Sequence, residues 1–107
     1  MTVTVSPLTR EALDILAAGI RAARLRRGWT LRHLAERVGV SEPTIIKVER
    51  GDPTVAVGTM LEAAVLVGVP LFDTDAEARE RYGAHKRAEL ALLPATVRPR
   101  RRIDDDF

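Results

Sequence analysis

The sequence predicts an all-α fold of four to five helices. Apolar residues recur at steps of three and four through much of the first 70 positions, and glycines at 28, 39, 51 and 68 close successive segments. Composition limits how the core is built. The 107 residues include no cysteine and four aromatics, so Leu, Val, Ile and Ala supply the interior. The length fits one domain, with or without tails. The missing cysteines exclude disulfides and thiol chemistry, and two histidines, His33 and His85, are too few for a histidine-rich metal site. No metal or cofactor is expected. The longest low-charge apolar run, 63–72, is about half the ~20 residues a membrane helix needs. The first residues lack a basic segment followed by a long apolar one, so the expectation is a soluble cytoplasmic chain with no membrane partner.

Residues 2–5, TVTV, alternate in a way that admits a short N-terminal strand or a frayed end. Ser6-Pro7 reads as an N-cap followed by proline at the first helical position, where its missing N–H is not needed. Helix then continues to Arg27 with Leu13, Leu16, Ala17, Ile20, Ala23 and Arg24 on the recurring face, and Gly28 ends it. Thr30 caps a second short helix, Leu31 to Val38, which Gly39 stops. Ser41 caps a third, Glu42 to about Arg50, with Pro43 in its first turn and Ile45 and Val48 facing inward. A fourth runs from Val57 or Gly58 to Val67, after which Leu71 and Phe72 are placed to close the core from a loop. A fifth segment, Asp75 to Leu93, has a weak apolar face of alanines, Tyr82, Leu90, Leu92 and Leu93. From Pro94 the composition of prolines, arginines and terminal acids predicts a flexible tail. The organisation expected is an extension over 1–14, a domain over 15–72, a C-terminal helix over 73–93 and the tail over 94–107.

The net charge of +2 hides an asymmetry. Residues 1–50 carry nine basic and five acidic side chains, and 51–107 carry eight and ten. The basic surplus lies in the first half of the chain, and a local surplus of that kind is what a polyanion partner would feel.

The most informative block is Thr30 to Gly51, TLRHLAERVGVSEPTIIKVERG. It sets two short helices about a turn at Gly39, with Ala35 small where they approach and Val40, Ile45 and Val48 filling the angle between them. That is a helix-turn-helix arrangement, in which the first helix crosses the phosphate backbone and the second enters the major groove.

This block resembles the Xre/Cro-type helix-turn-helix family through Thr30, Leu34-Ala35-Glu36-Arg37, Gly39-Val40-Ser41, Thr44-Ile45 and Val48-Glu49-Arg50-Gly51, with Ile20-Arg21 to Gly28-Trp29 matching the family's first helix. The resemblance covers about residues 15–72 and implies a lambda-repressor-like domain that binds DNA. A narrower stretch, ERGDPTVAVGTMLEAAVLVGVPLFD (49–73), looks like HipB-type antitoxins, as do Leu8 to Ala18 and the basic tail ending in acids and Phe. That likeness implies a repressor of its own operon that also restrains a HipA-like kinase toxin.

The resemblance implies that the early part of the third helix reads bases. Lys47 is then placed for guanine O6/N7 or a phosphate, Thr44 for a phosphate or a thymine methyl, and Ile46 for such a methyl. Ile46 has a second reading as a core residue on a slightly rotated helix. Glu42 either accepts from cytosine N4 or simply favours the helix N-terminus, worth ~0.3–1 kcal/mol. Ser41 belongs to the same matched group. Thr30 and Arg32 stand at the start of the second helix, whose N–H groups hold a phosphate; Leu31 occupies a position where the family often has Gln, and Arg32 is the substitute. Arg21, Arg24, Arg26 and Arg27 are phosphate contacts or, for most of them, a solvated face. Trp29 reads as a lid on the core. The family's Glu, here Glu49, pairs with Arg24 or Arg37, and an exposed pair contributes only ~0–1 kcal/mol.

One module covers one half-site, so the expected DNA partner is a palindromic double-stranded operator and the expected assembly a two-fold homodimer. Val3 to Leu16, the fourth helix with Leu71 and Phe72, and the fifth segment are the candidate interfaces. The tail's arginines suit phosphates, its acids with Phe107 suit a basic cleft on a partner, and a solvated disordered end is the default reading. No catalytic spacing stands up: His33 and Glu36 in HLAER do not make the two-histidine zinc motif, and no glycine-rich phosphate loop is present. Two other functions stay open, a stand-alone regulator of other genes and a protein-interaction module that has lost DNA binding.

Overall fold

The computed structural model describes residues 4–99, and among them the secondary structure is helix alone: α1 (Pro7–Arg26), α2 (Leu31–Val38), α3 (Glu42–Glu49), α4 (Val57–Val67) and α5 (Ala76–Ala91). The all-α expectation holds. Thr4 and Val5 belong to no strand, and the rest of the TVTV segment lies outside the described residues. The boundaries follow local chemistry. Ser6, Thr30 and Ser41 each accept a hydrogen bond from the backbone N–H three residues on, at 3.3, 3.0 and 3.3 Å, and so satisfy one orphan donor of α1, α2 and α3. Gly39 ends α2 with a left-handed backbone, φ 87°. From there the amides of Gly39 and Val40 both donate to the Ala35 carbonyl, at 2.8 and 3.0 Å, which holds the turn between α2 and α3 closed.

Contacts divide the chain into two compact units, Met1–Phe72 and Asp73–Phe107. In the first, α1 packs on α3 and α4, α2 packs on α3 and α4, and α3 packs on α4. The four helices share one core of Ala17, Ile20, Ala23, Leu34, Ala35, Ile45, Val48, Met60, Ala63, Ala64 and Val67. Seven of those eleven side chains are no larger than valine. Short helices can therefore cross closely, and Ile20, Leu34, Ile45 and Val48 fill the centre. Leu13, Leu16, Trp29, Leu31, Val38, Val40, Val55 and Leu71 close it from the rim.

Phe72 corrects the reading that it closes the core. It is 89% exposed, with φ 58°. After Gly68 the helix ends, Val69 and Leu71 pack against the core, and Pro70 and Phe72 are exposed. In the second unit α5 buries none of its residues, and residues 94–99 carry no regular structure. Residues 100–107, which hold most of the expected tail, lie outside the described part.

Two long-range ties fix α1. Arg24, buried on α1, donates from Nε and Nη2 to both carboxylate oxygens of Glu49 at the end of α3, at 2.6 and 3.0 Å, and from Nη1 to the Trp29 carbonyl at 2.8 Å. The two side chains are 8% and 7% exposed. Arg24, not Arg37, is thus the partner of Glu49, and the pair is buried where an exposed one was expected. The Glu49 hydrogen bond raises Arg24 above the ordinary guanidinium value, against the opposing effect of burial, so the guanidinium keeps its charge at any working pH. At the other end of α1, Arg10 donates to the Gly51 carbonyl and pairs with Asp14 at 2.9 Å. Gly51 has φ 69°, and a Cβ there would stand 2.7 Å from Arg10 Nη2 and 3.0 Å from the Leu13 carbonyl oxygen.

Two stability experiments follow. Glu49→Ala strands a buried guanidinium, so urea denaturation should show a loss of about 3–5 kcal/mol, and joint replacement of Arg24 by Met and Glu49 by Leu should restore most of it. Gly51→Ala should lose at least ~1 kcal/mol from the left-handed backbone alone. Gly58→Ala, in α4 with open space around its Cβ position, should gain ~0.5–1 kcal/mol in the same assay.

Candidate nucleic-acid interface

The α3 helix has two sides of different character. Ile45 and Val48 are fully buried, and Glu49 is held by Arg24. At 100° per residue the opposite side carries Pro43, Lys47 and Arg50, all exposed, with Thr44 and Ile46 half-buried on its two flanks. Ile46 does not pack with the apolar side chains around the core, which removes the rotated-helix reading and leaves it on the outer flank. Arg50 adds a second cation to this side. It is the C-cap of α3, still in helical conformation, one turn beyond Lys47.

Ser41 and Thr44 belong to one cap. The Ser41 hydroxyl accepts from the Thr44 amide, and the two hydroxyl oxygens lie 2.9 Å apart. Each hydroxyl also has lone pairs to spare for an outside donor. Glu42, exposed at the first position of α3, sits where the helix dipole favours a carboxylate. Behind Lys47, the Asp52 amide donates to the Lys47 carbonyl at 3.0 Å. The Thr54 hydroxyl and amide, with smaller help from the charges of Lys47 and Arg10, hold the Asp52 carboxyl below its ordinary value against a slight desolvation. Asp52 is therefore a fixed anion next to the turn that ends α3.

At the start of α2, the Thr30 oxygen accepts from the His33 amide, which leaves its hydroxyl hydrogen free to donate. Arg32 bridges to Glu36 at 3.3 Å, with both side chains exposed. A surface pair of that kind contributes ~0–1 kcal/mol, so Arg32 swings to another anion at little cost. No hydrogen bond or ion pair among the described residues joins Thr30 or Arg32 to the α3 group. The two clusters are positioned through the packing of α2 on α3.

Of the four arginines between positions 21 and 27, two are engaged internally. Arg24 is the buried partner of Glu49, and Arg27 donates to the Val67 carbonyl at 2.9 Å at the end of α4. Arg21 and Arg26 face solvent. Trp29 packs against the core rim as a lid. The guanidinium groups of Arg27 and Arg37 each stand 5.3 Å from its ring centroid, and the His33 ring meets it edge-on at 4.7 Å. This cluster locks the corner between α1 and α2. Its members are spread over 27–37, and no sequence period links them.

With respect to metal, no group of three or more His, Cys, Asp or Glu gathers among the described residues, and no described helix is long and apolar enough to cross a membrane.

Comparison with known proteins agrees with this geometry. Residues 20–73, half of the chain, match the helix-turn-helix family model. A stretch of 55 residues is 34% identical to the HTH-type transcriptional regulator SutR of Escherichia coli (strain K12), covering 51% of this chain and 31% of that protein. The chain thus spans about a third of the curated relative it matches. No solved structure matches. The matched residues hold α2, the turn at Gly39 and α3 together with the core that supports them, and the chain belongs to the helix-turn-helix family.

Proposed function

We propose that this protein is a sequence-specific repressor, two copies of which occupy a palindromic operator with α3 of each in a major groove. One observation carries the reading. The inner side of α3 is locked by Ile45, Val48 and the Glu49–Arg24 pair, while Thr44, Ile46, Lys47 and Arg50 stand outside the core. A helix held that rigidly presents its outer side chains in a fixed pattern, and a fixed pattern is what base recognition needs.

In this reading Lys47 donates to guanine O6 or N7 or to a phosphate, Ile46 packs on a thymine methyl, Thr44 touches a phosphate or a second methyl, and Glu42 accepts from cytosine N4. Ser41, Thr30 and Arg32 take backbone phosphates at the two helix N-termini, and Arg50 takes one past the end of α3. Binding is then strongly salt-dependent through counterion release. SutR is a transcriptional regulator by its name, and the 34% identity supports the same class of activity here.

The HipB-like reading adds restraint of a HipA-like kinase to the same operator binding, and it rests on the likeness of residues 49–73. Its test is direct: copurification of such a kinase with the full chain, and loss of kinase activity in the complex, would carry it, and a kinase that neither binds nor slows would remove it.

Fluorescence anisotropy against duplexes selected from a random pool tests the main proposal. Affinity should fall steeply with salt, and a duplex-independent signal at every salt concentration would leave only a protein-interaction role. Lys47→Ala should weaken operator binding by about tenfold or more, equivalent to ~1–3 kcal/mol, with unchanged thermal stability. Arg50→Ala should weaken all duplexes alike and reduce the slope of log affinity on log salt by ~1, as loss of one phosphate contact does.

A further inference from the structure

We infer that Glu42 and Ile46 together read one base, a cytosine methylated at C5, so that an operator carrying 5-methylcytosine is bound more tightly than its unmethylated form; the inference rests on the operator reading, which places the outer side of α3 in the major groove. The two residues lie four positions apart on α3, separated by about 40° of helical rotation. Side chains so spaced are neighbours, with Cβ atoms about 5–6 Å apart. Glu42 is exposed, and its carboxylate makes no hydrogen bond or ion pair with any described residue. Ile46 is half-buried and stands outside the set of apolar side chains that pack on the core. An acceptor with no donor and an aliphatic branch the core does not use are thus side by side.

An ionised carboxylate carries acceptors alone, so it gains nothing from phosphates and needs an amino group in the groove. The bases offer two there, cytosine N4 and adenine N6. Adenine sets its N7 acceptor beside N6, guanine presents two acceptors and thymine presents O4, and each of these repels the carboxylate. Cytosine N4 is therefore the partner of Glu42. The ring atom next along the cytosine edge is C5. With hydrogen on C5, Ile46 meets little; with a methyl there, it meets the same apolar group that thymine displays. Thymine itself puts O4 where Glu42 requires a donor. A cytosine bearing a C5 methyl satisfies both side chains at once.

A thymine stacked beside a plain cytosine displays the same two groups, the methyl from one base and the amino group from the other. Helical side chains lean toward the N-terminus, so Ile46 lies over the turn that carries Glu42, and this favours a single base. The consequence is regulatory. Adding one methyl group to the operator adds one apolar contact, and the protein distinguishes the modified duplex from the unmodified one.

The experiment is fluorescence anisotropy of the full chain with a duplex selected from a random pool made with 5-methylcytosine. The duplex is then remade with cytosine or thymine at each 5-methylcytosine in turn, and with uracil at each thymine. At one position per half-site, cytosine should bind about fourfold more weakly, the effect of one buried methyl group, and thymine about tenfold more weakly. Glu42→Gln, whose amide also donates, should relax the penalty for thymine there. Ile46→Ala should bind the methylated and plain duplexes alike, and Ile46→Val should keep most of the difference. Equal wild-type affinity for the two, or a difference that survives in Ile46→Ala, would overturn the inference and leave the operator reading intact where binding stays sequence-specific and salt-dependent. A loss at a neighbouring uracil, with no loss at plain cytosine, would give Ile46 to thymine and overturn it too. A chain that binds no duplex at any salt concentration would sink the operator reading and this inference with it. Thermal unfolding checks each variant, and the wild-type comparison decides by itself should one unfold.

Discussion

The buried pair between Arg24 and Glu49 is the contact on which the arrangement of this domain depends. It joins the last turns of α1 to the end of α3, across 25 positions of sequence, with two hydrogen bonds from one guanidinium to one carboxylate. The same guanidinium takes the Trp29 carbonyl, so the corner leading into α2 is fixed by the same side chain. Burying two charges costs free energy, and the fork-to-fork geometry with a third hydrogen bond offsets it. What the pair contributes beyond that balance is orientation: a planar guanidinium accepts a carboxylate in few directions, and α3 inherits the restriction.

Around that contact the rest of the domain follows by packing. Small core residues let four short helices approach, Gly39 turns the chain sharply between α2 and α3, and Gly51 makes room for Arg10 and the Leu13 carbonyl beside the end of α3. The α3 helix is therefore braced at its end by α1 from two directions, through Arg24 and through Arg10. The functional consequence is that the side of α3 carrying Thr44, Ile46, Lys47 and Arg50 is unable to rotate relative to α2 without breaking one of these ties. Rigidity at the back of a reading helix converts a list of outward side chains into a spatial pattern.

Much of this was legible in the sequence for physical reasons. Ser6, Thr30, Ser41 and the glycines that follow the first four helices are local signals, since a cap or a left-handed residue acts on its own turn, and the first three helices start where the caps lie. The inward residues Ile20, Leu34, Ile45 and Val48 follow from period alone. Long-range choices were not legible. Arg24 and Arg37 were equal candidates for Glu49, because helix period says which face a residue occupies and nothing about which opposing helix carries its partner. Burial of the pair, the Arg27–Trp29–Arg37 stack and the tie from Arg10 to Gly51 all depend on crossing angles that appear only in three dimensions. Phe72 misled because hydrophobicity suggests burial, while the chain turns at Phe72 with a left-handed backbone and leaves its ring exposed.

The central claim is that the outer side of α3 meets DNA. Amide chemical-shift mapping of the full chain, on addition of a duplex selected for binding, tests it most directly. The account predicts perturbations concentrated on residues 41–50 and on Thr30 to His33, with little change along α5. Perturbations confined to α5, or a spectrum unmoved by any duplex, would contradict it.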